Sequence, residues 1–150
     1  RSREVASCWL GFPRLGPCMS FNDQTIDQVL AMKNWAIVGL GNNPERAAFG
    51  VSKLLQEKGH RIVPVYPRAE NVHGEAGYKT LAEIPFPIDV VDCFVNSKLV
   101  GKVVDEAIAI GAKAVWLQLD VIDEEAVARA EAAGLLAIMD RCPAIEYRKR

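Results

Sequence analysis

After Met19 the apolar positions change period in a regular way. "DQTIDQVLAM" carries Ile26, Val29 and Leu30 at helical spacing, which predicts a short amphipathic helix. "WAIVGL" is a continuous apolar run closed by glycine, the pattern of a strand buried on both faces. Asn43 then reads as an N-cap and Pro44 as the first residue of a helix through "ERAAFGVSKLLQEK", ended by Gly59. "RIVPVYP" predicts a second strand, with Pro64 placing it where one ladder bond can be given up. Residues 68–87 read as loop around a short turn or helix in "YKTLAEIP". "IDVVDCFV" is the next strand. Ser97 is expected to cap "KLVGKVVDEAIAIG", where Val100, Val103, Val104, Ala107 and Ile108 form one stripe. "AVWLQL" is a strand, Asp123 caps "EEAVARAEAAG" with acids in its first turn, and "LLAIMD" is the last strand.

Strand and helix alternate throughout, without a repeat or a linker. This predicts an α/β fold: a doubly wound parallel sheet, Rossmann-like, in three layers with five to six strands. In such a sheet the ligand site lies at the carboxyl ends of the strands, near the point where the strand order reverses. A length of 150 residues supports one domain with a core, expected over 19–150. The first 18 residues mix arginine with Trp9, Phe12, Pro13 and Pro17 and show no period. They read as a poorly ordered extension, a leader or a mis-assigned start upstream of Met19.

The net charge of −1 argues against a general polyanion binder, so nucleic acid is not an expected partner. The basic end "YRKR" reads as a solvated tail. No run approaches the roughly 18 apolar residues of a membrane span. The four cysteines form no C-x-x-C pair and lie far from His60 and His73, so no zinc site is expected. Cys93, inside an apolar run, reads as a buried thiol, which suggests a reducing, cytoplasmic setting.

The carboxyl ends carry the candidate chemistry. Gly39 and Gly41 let backbone N–H groups approach a phosphate, the following helix aims its positive end there, and Arg46 adds a charged fork. The same residues also make a plain tight turn with a solvated arginine. An NAD site expects an acid about 20 residues past the glycine loop. Here the second strand ends in Tyr66, Pro67 and Arg68, with the first acid, Glu70, out in the loop. That favours a ribose carrying a phosphate, as in NADP or coenzyme A, with Tyr66 placed to pack on adenine. Asn96 and Ser97 would face the middle of an extended ligand, and Gln118 and Asp120 follow the fourth strand. The Asp140–Arg141 pair reads as structural.

No nucleophile–base–orienter set assembles. Cys142 has no histidine near it in sequence, His60 follows a helix end and reads as exposed, and His73 sits in a loop. Asp89 and Asp92 are three apart in one strand and are expected to point to opposite faces.

The order "VGLGNNPERAAFGVSKLLQEKGHRIVPVYPR", "IDVVDCFVNS", "EAIAIGAKAVWLQL", "AAGLLAIMDRCPAIEY" resembles the small bacterial and archaeal CoA-binding proteins. These single Rossmann domains are similar to the N-terminal CoA-binding domain of the succinyl-CoA synthetase α subunit. The resemblance covers Ile26 to Tyr147 and implies coenzyme A or an acyl-CoA as ligand. It implies a phosphate loop over Gly39, Leu40, Gly41, Asn43 and Arg46. It places adenine and ribose phosphate at Val65, Tyr66 and Arg68, and pantetheine along Phe94, Asn96, Ser97 and Gln118. The family usually has serine or alanine at Gly41, Asn or Ser at Tyr66, arginine at Val95 and glycine at Asp120. The synthetase also needs a phosphorylated histidine on a second domain and a partner subunit, and this chain has no histidine in a comparable context. The expectation is a non-catalytic binding module for a small nucleotide ligand, a monomer or weak homodimer. The alternatives are an NADP-dependent oxidoreductase and a regulatory domain that has weakened or lost its ligand.

Overall fold

The computed structural model describes residues 23–150. The expected extension over 1–18 lies outside the described residues.

Five strands form one parallel sheet in the order β2-β1-β3-β4-β5. They are β1 (Asn34–Val38), β2 (Arg61–Val65), β3 (Val90–Cys93), β4 (Ala114–Leu117) and β5 (Leu136–Ile138). The chain leaves β1 for the edge at β2, then crosses back over β1 to β3. That reversal puts the helices on both faces. Helices α1 (Asp23–Leu30), α2 (Ala47–Glu57) and α5 (Pro143–Arg148) pack on the face that carries Trp35, Ile37, Val90 and Trp116. Helices α3 (Ser97–Ala109) and α4 (Glu124–Ala132) cover the face of Ala36, Val63, Val91 and Val115. The continuous apolar runs follow from this: β3 and β4 are buried at every position. Pro64 lies in β2, at the edge of the sheet, where its missing N–H leaves no gap in a central ladder.

Two tryptophans with no exposed surface, Trp35 and Trp116, meet under the first of these faces with ring centroids 5.6 Å apart. Each indole N–H has a partner at 2.9 Å, the carbonyls of Met32 and Arg141 respectively. Buried tryptophans need such a partner. The second bond also fixes the loop that follows β5.

Several local expectations need correction. Asn43 does cap a turn, since its Oδ1 accepts the Glu45 N–H at 2.9 Å. But Arg46 is extended (φ −84°, ψ 144°), so α2 starts at Ala47 and Arg46 is its N-cap. Asn96, not Ser97, caps α3: its side chain accepts from the N–H groups of Lys98 and Leu99 at 3.0 and 3.1 Å. Both residue types cap well, and the extended backbone falls at Asn96. The apolar stripe of α3 buries Val100, Val103, Val104 and Ala107, while Ile108 is only partly buried. Asp89 sits in the turn before β3, accepting the Asn34 N–H, and only Asp92 belongs to the strand.

His60 is buried rather than exposed. It bonds the Met32 carbonyl at 2.7 Å and the Tyr147 hydroxyl, and packs edge-on against Trp35. Burial lowers its pKa below the usual histidine value. The "YRKR" segment is docked, not a solvated tail. Tyr147 reaches His60 and donates to the Leu30 carbonyl, and Arg150 pairs with Asp23, Asp27 and Glu146. Sequence polarity missed this because Leu30, Asp23 and Asp27 come from α1, more than 110 residues earlier.

Candidate functional site

The residues that follow β1, β2, β3 and β4 meet at one edge of the sheet. Gly39 closes β1 with φ 102°, and its N–H donates to the Val65 carbonyl at 2.8 Å. A Cβ there would lie 2.5 Å from the Phe94 carbonyl oxygen, so the crossing between β1 and β3 requires glycine. Two cavities open above it. The first, about 350 Å³, is lined by Gly39, Gly41, Asn42, Asn43, Arg46, Tyr66, Arg68 and Glu70. The second, about 330 Å³, shares Gly39 and Arg46 as walls and is mostly apolar: Ala47, Ala48, Val51, Phe94, Val95, Leu119 and Val121, with Gln118 and Cys142.

The first cavity has the makings of an anion site. The N-terminus of α2 opens beside it with no side chain capping its N–H groups. Helix N-termini carry partial positive charge and free donors. Arg46 and Arg68 add two full charges. Glu70, which sequence reasoning left out in the loop, comes back into the site. Its Oε1 accepts the Asn42 N–H at 2.7 Å, and its Oε2 lies 3.7 Å from Arg68. The carboxylate thus holds the loop donor and the arginine that would meet a phosphate. Its signal was available only as an acid near Arg68.

Gly41 lies directly against the Tyr66 ring. A Cβ at Gly41 would lie 3.3 Å from Tyr66 Cε2 and 2.9 Å from Glu70 Oε1. The smaller residue at 41 makes room for the larger ring at 66. Asp120 has φ 68°, the left-handed region that glycine adopts without strain. The Asp120 side chain is exposed and lines neither cavity, so it does not oppose an anion there. Val95 does line the apolar cavity.

Of the candidate residues, Gly39, Gly41, Asn43, Arg46, Tyr66, Arg68, Phe94 and Gln118 are brought together as cavity walls. Four are not. Leu40 and Val65 are buried, 0% and 4% exposed, and pack in the core. Asn96 caps α3. The Ser97 hydroxyl accepts the Ile122 N–H at 2.9 Å and donates to the Asp120 carbonyl at 3.4 Å, bracing the rim. Sequence reasoning placed Asn42 in the glycine loop but missed Glu70, Cys142 and the α2 residues Ala47, Ala48 and Val51. Small apolar residues in a first helical turn carry no signal until the turn is seen against a cavity.

Among the described residues, two buried polar side chains have oxygens without partners. Neither carboxylate oxygen of Asp92 makes a hydrogen bond, nor does Gln118 Oε1. Burial raises the Asp92 pKa well above the ordinary carboxylate value. Asp92 pairs in register with Ile37 and Trp116, two residues below the Gly39 and Gln118 level. Among the described residues, no group of three or more His, Cys, Asp and Glu could hold a metal ion, and no helix is long and apolar enough to cross a membrane.

A parallel sheet in this order, with a glycine turn, an open helix N-terminus and two arginines at the reversal, belongs to the Rossmann-like α/β class. Residues 33–148 match the CoA binding domain family, and the chain belongs to that family. The chain is 36% identical over 110 residues to the protein YneT of Bacillus subtilis strain 168, covering 73% of this chain and 82% of that one. It is 32% identical over 91 residues to the alpha subunit of the ADP-forming acetate–CoA ligase II of Pyrococcus furiosus. That stretch is 60% of this chain and only 20% of the ligase subunit. A solved protein from Pyrococcus horikoshii OT3 superposes with a TM-score of 0.84 at 37% identity, over 92% of this chain and 98% of that one. The dinucleotide-forming acetyl-coenzyme A synthetase 1 of Ca. Korarchaeum cryptofilum shares the fold: TM-score 0.67, 21% identity, 77% of this chain and 28% of that one.

Proposed function

We propose that this chain binds coenzyme A or an acyl-CoA, as a binding module rather than an enzyme, at the carboxyl ends of β1 to β4. One observation carries the reading. A polar cavity with Arg46 and Arg68 shares the Gly39–Arg46 wall with an apolar cavity of similar volume. CoA has that profile: a phosphorylated nucleotide joined through a pyrophosphate to a long, largely apolar arm. In this reading the pyrophosphate sits on the Gly39–Arg46 loop and the α2 N-terminus. Arg68 takes the ribose phosphate, Tyr66 packs on adenine, and the arm passes Phe94 and Gln118. Leu40, Val65, Asn96 and Ser97 support the walls from behind. Family membership favours CoA over NADP as the ribose-phosphorylated ligand.

Neither cavity is lined by a histidine. The ligase and synthetase relatives are several times longer than the matched stretch, so their reactions are not carried over.

Calorimetry under reducing conditions tests the reading, with CoA, acetyl-CoA, dephospho-CoA and NADPH as titrants. CoA is expected to bind and to raise the melting midpoint, because a ligand specific for the native state stabilises it. No heat and no shift at millimolar CoA ends the proposal. NADPH binding that CoA cannot displace would establish the dinucleotide alternative instead.

A further inference from the structure

We infer that Cys142 is a covalent docking point for the ligand's sulfur: its thiol exchanges with a disulfide of CoA and retains the CoA half as a mixed disulfide. The inference rests on the CoA reading above and extends it to a modification site.

Three observations converge on the apolar cavity. First, Cys142 lines it together with Gly39 and Arg46, the wall shared with the phosphate side. The residue is 8% exposed, and its side chain makes no capping bond to α5 although it occupies the N-cap position. Second, its position is fixed. The Trp116 indole N–H holds the Arg141 carbonyl at 2.9 Å, and Asp140 is held by the Asp120 N–H at 2.7 Å. Third, Gln118 lines the same cavity, is 6% exposed, and has a buried Oε1 with no partner. A buried carbonyl in that state is an unmet acceptor. The CoA arm carries amide N–H groups ahead of its terminal sulfur. An arm anchored by its phosphates at Gly39–Arg46 and by an amide at Gln118 brings that sulfur into the cavity that holds Cys142.

The step balances without an added oxidant. The Cys142 thiolate attacks one sulfur of the disulfide CoA–S–S–R. A new S–S bond forms between Sγ and the CoA sulfur, the old S–S bond breaks, and the second sulfur leaves as a thiolate that takes up the cysteine's proton as R–SH. Acyl transfer from a thioester fits less well, because no His, Asp or Glu lines this cavity to manage a tetrahedral intermediate. Cys93 is not a competitor. It has no exposed surface, belongs to the opposite face of the sheet, and burial pushes its thiol pKa up.

The full chain, free of reductant, is incubated with CoA disulfide or with glutathione disulfide at equal concentration. Intact mass and peptide mapping follow the adducts, and CoA affinity is measured separately under reductant. The expected result is one CoA adduct on the Cys142 peptide, removed by dithiothreitol. It should form about tenfold or more faster than the glutathione adduct, because binding holds the two sulfurs together. C142S should lose it. Should that variant not fold, the wild-type map decides. Adducts confined to Cys8, Cys18 or Cys93, or equal rates for the two disulfides, overturn the inference. If CoA binds under reductant while Cys142 stays unmodified, the inference fails and the binding reading stands. If CoA does not bind, both fail.

Discussion

The Asp120 backbone N–H donates to the Asp140 carboxylate at 2.7 Å, and both residues hold left-handed backbone, φ 68° and 60°. The bond ties the loop after β4 to the loop after β5, and Ser97 ties the same loop to the start of α3. Asp140→Ala leaves the donor to water, because Asp120 is exposed. It should cost about 1.5 kcal/mol, the low end for a bond to a charged group. Asp120→Gly relieves left-handed strain of about 1 kcal/mol but adds a similar entropy to the unfolded chain. Thermal unfolding should therefore show a lowered midpoint for the first variant and little change for the second.

Arg68 and Arg46 should read different phosphates. Arg68→Ala is expected to weaken CoA about five- to tenfold and dephospho-CoA far less, the scale of one exposed charge pair. Arg46→Ala should weaken both ligands equally. Titration calorimetry with the two ligands separates the cases. Equal losses for Arg68→Ala would show that it does not face the ribose phosphate.

Glu70 occupies donors that the proposed phosphate site would use. Its Oε1 holds the Asn42 N–H and its Oε2 faces Arg68. Glu70→Gln keeps the shape and an acceptor but removes the charge. CoA affinity should rise about two- to tenfold, the scale of one screened charge interaction. A fall in affinity would mean that Glu70 serves chiefly to order the loop.

Asp92 is a buried acid with no partner. Burial raises its folded-state pKa well above 3.8, so the native chain keeps the proton while the unfolded chain releases it. The unfolded state then binds fewer protons, and stability falls as pH rises from about 4 toward the folded pKa. Asp92→Val removes the unpaired group and should stabilise the fold by about 1–3 kcal/mol at pH 7, with a smaller gain near pH 4. His60 acts in the opposite direction, since its lowered pKa costs stability as pH drops below 6.5. Comparing variant with parent at each pH cancels that contribution. An equal gain at both pH values would show that Asp92 is ionised in the native state.

Gly39→Ala should destabilise by more than about 2 kcal/mol, because it combines a left-handed backbone with a collision against backbone. Chemical denaturation checks it. A change below 1 kcal/mol would mean that β1 and β3 separate easily at their ends.

Sequence alone determined the order of the elements up to β5, though not the last helix α5, because period and turn chemistry are local. Continuous apolar runs mark strands buried on both faces, Gly59 ends α2, and Asp123 caps α4 by accepting the Ala126 N–H at 3.0 Å. The family was legible for the same reason, since the glycine loop, Arg68 and the stretch around Cys142 lie in recognisable runs. Tertiary structure decided what depends on distant partners. It returned Glu70 to the loop 28 residues before it and drew Ser97 from helix capping to the rim. It buried His60 under Tyr147, and it set Cys142 and Gln118 on one cavity although they come from different strand ends. Hydrogen bonds and cavities join residues across the sheet, so neither composition nor spacing encodes them one position at a time.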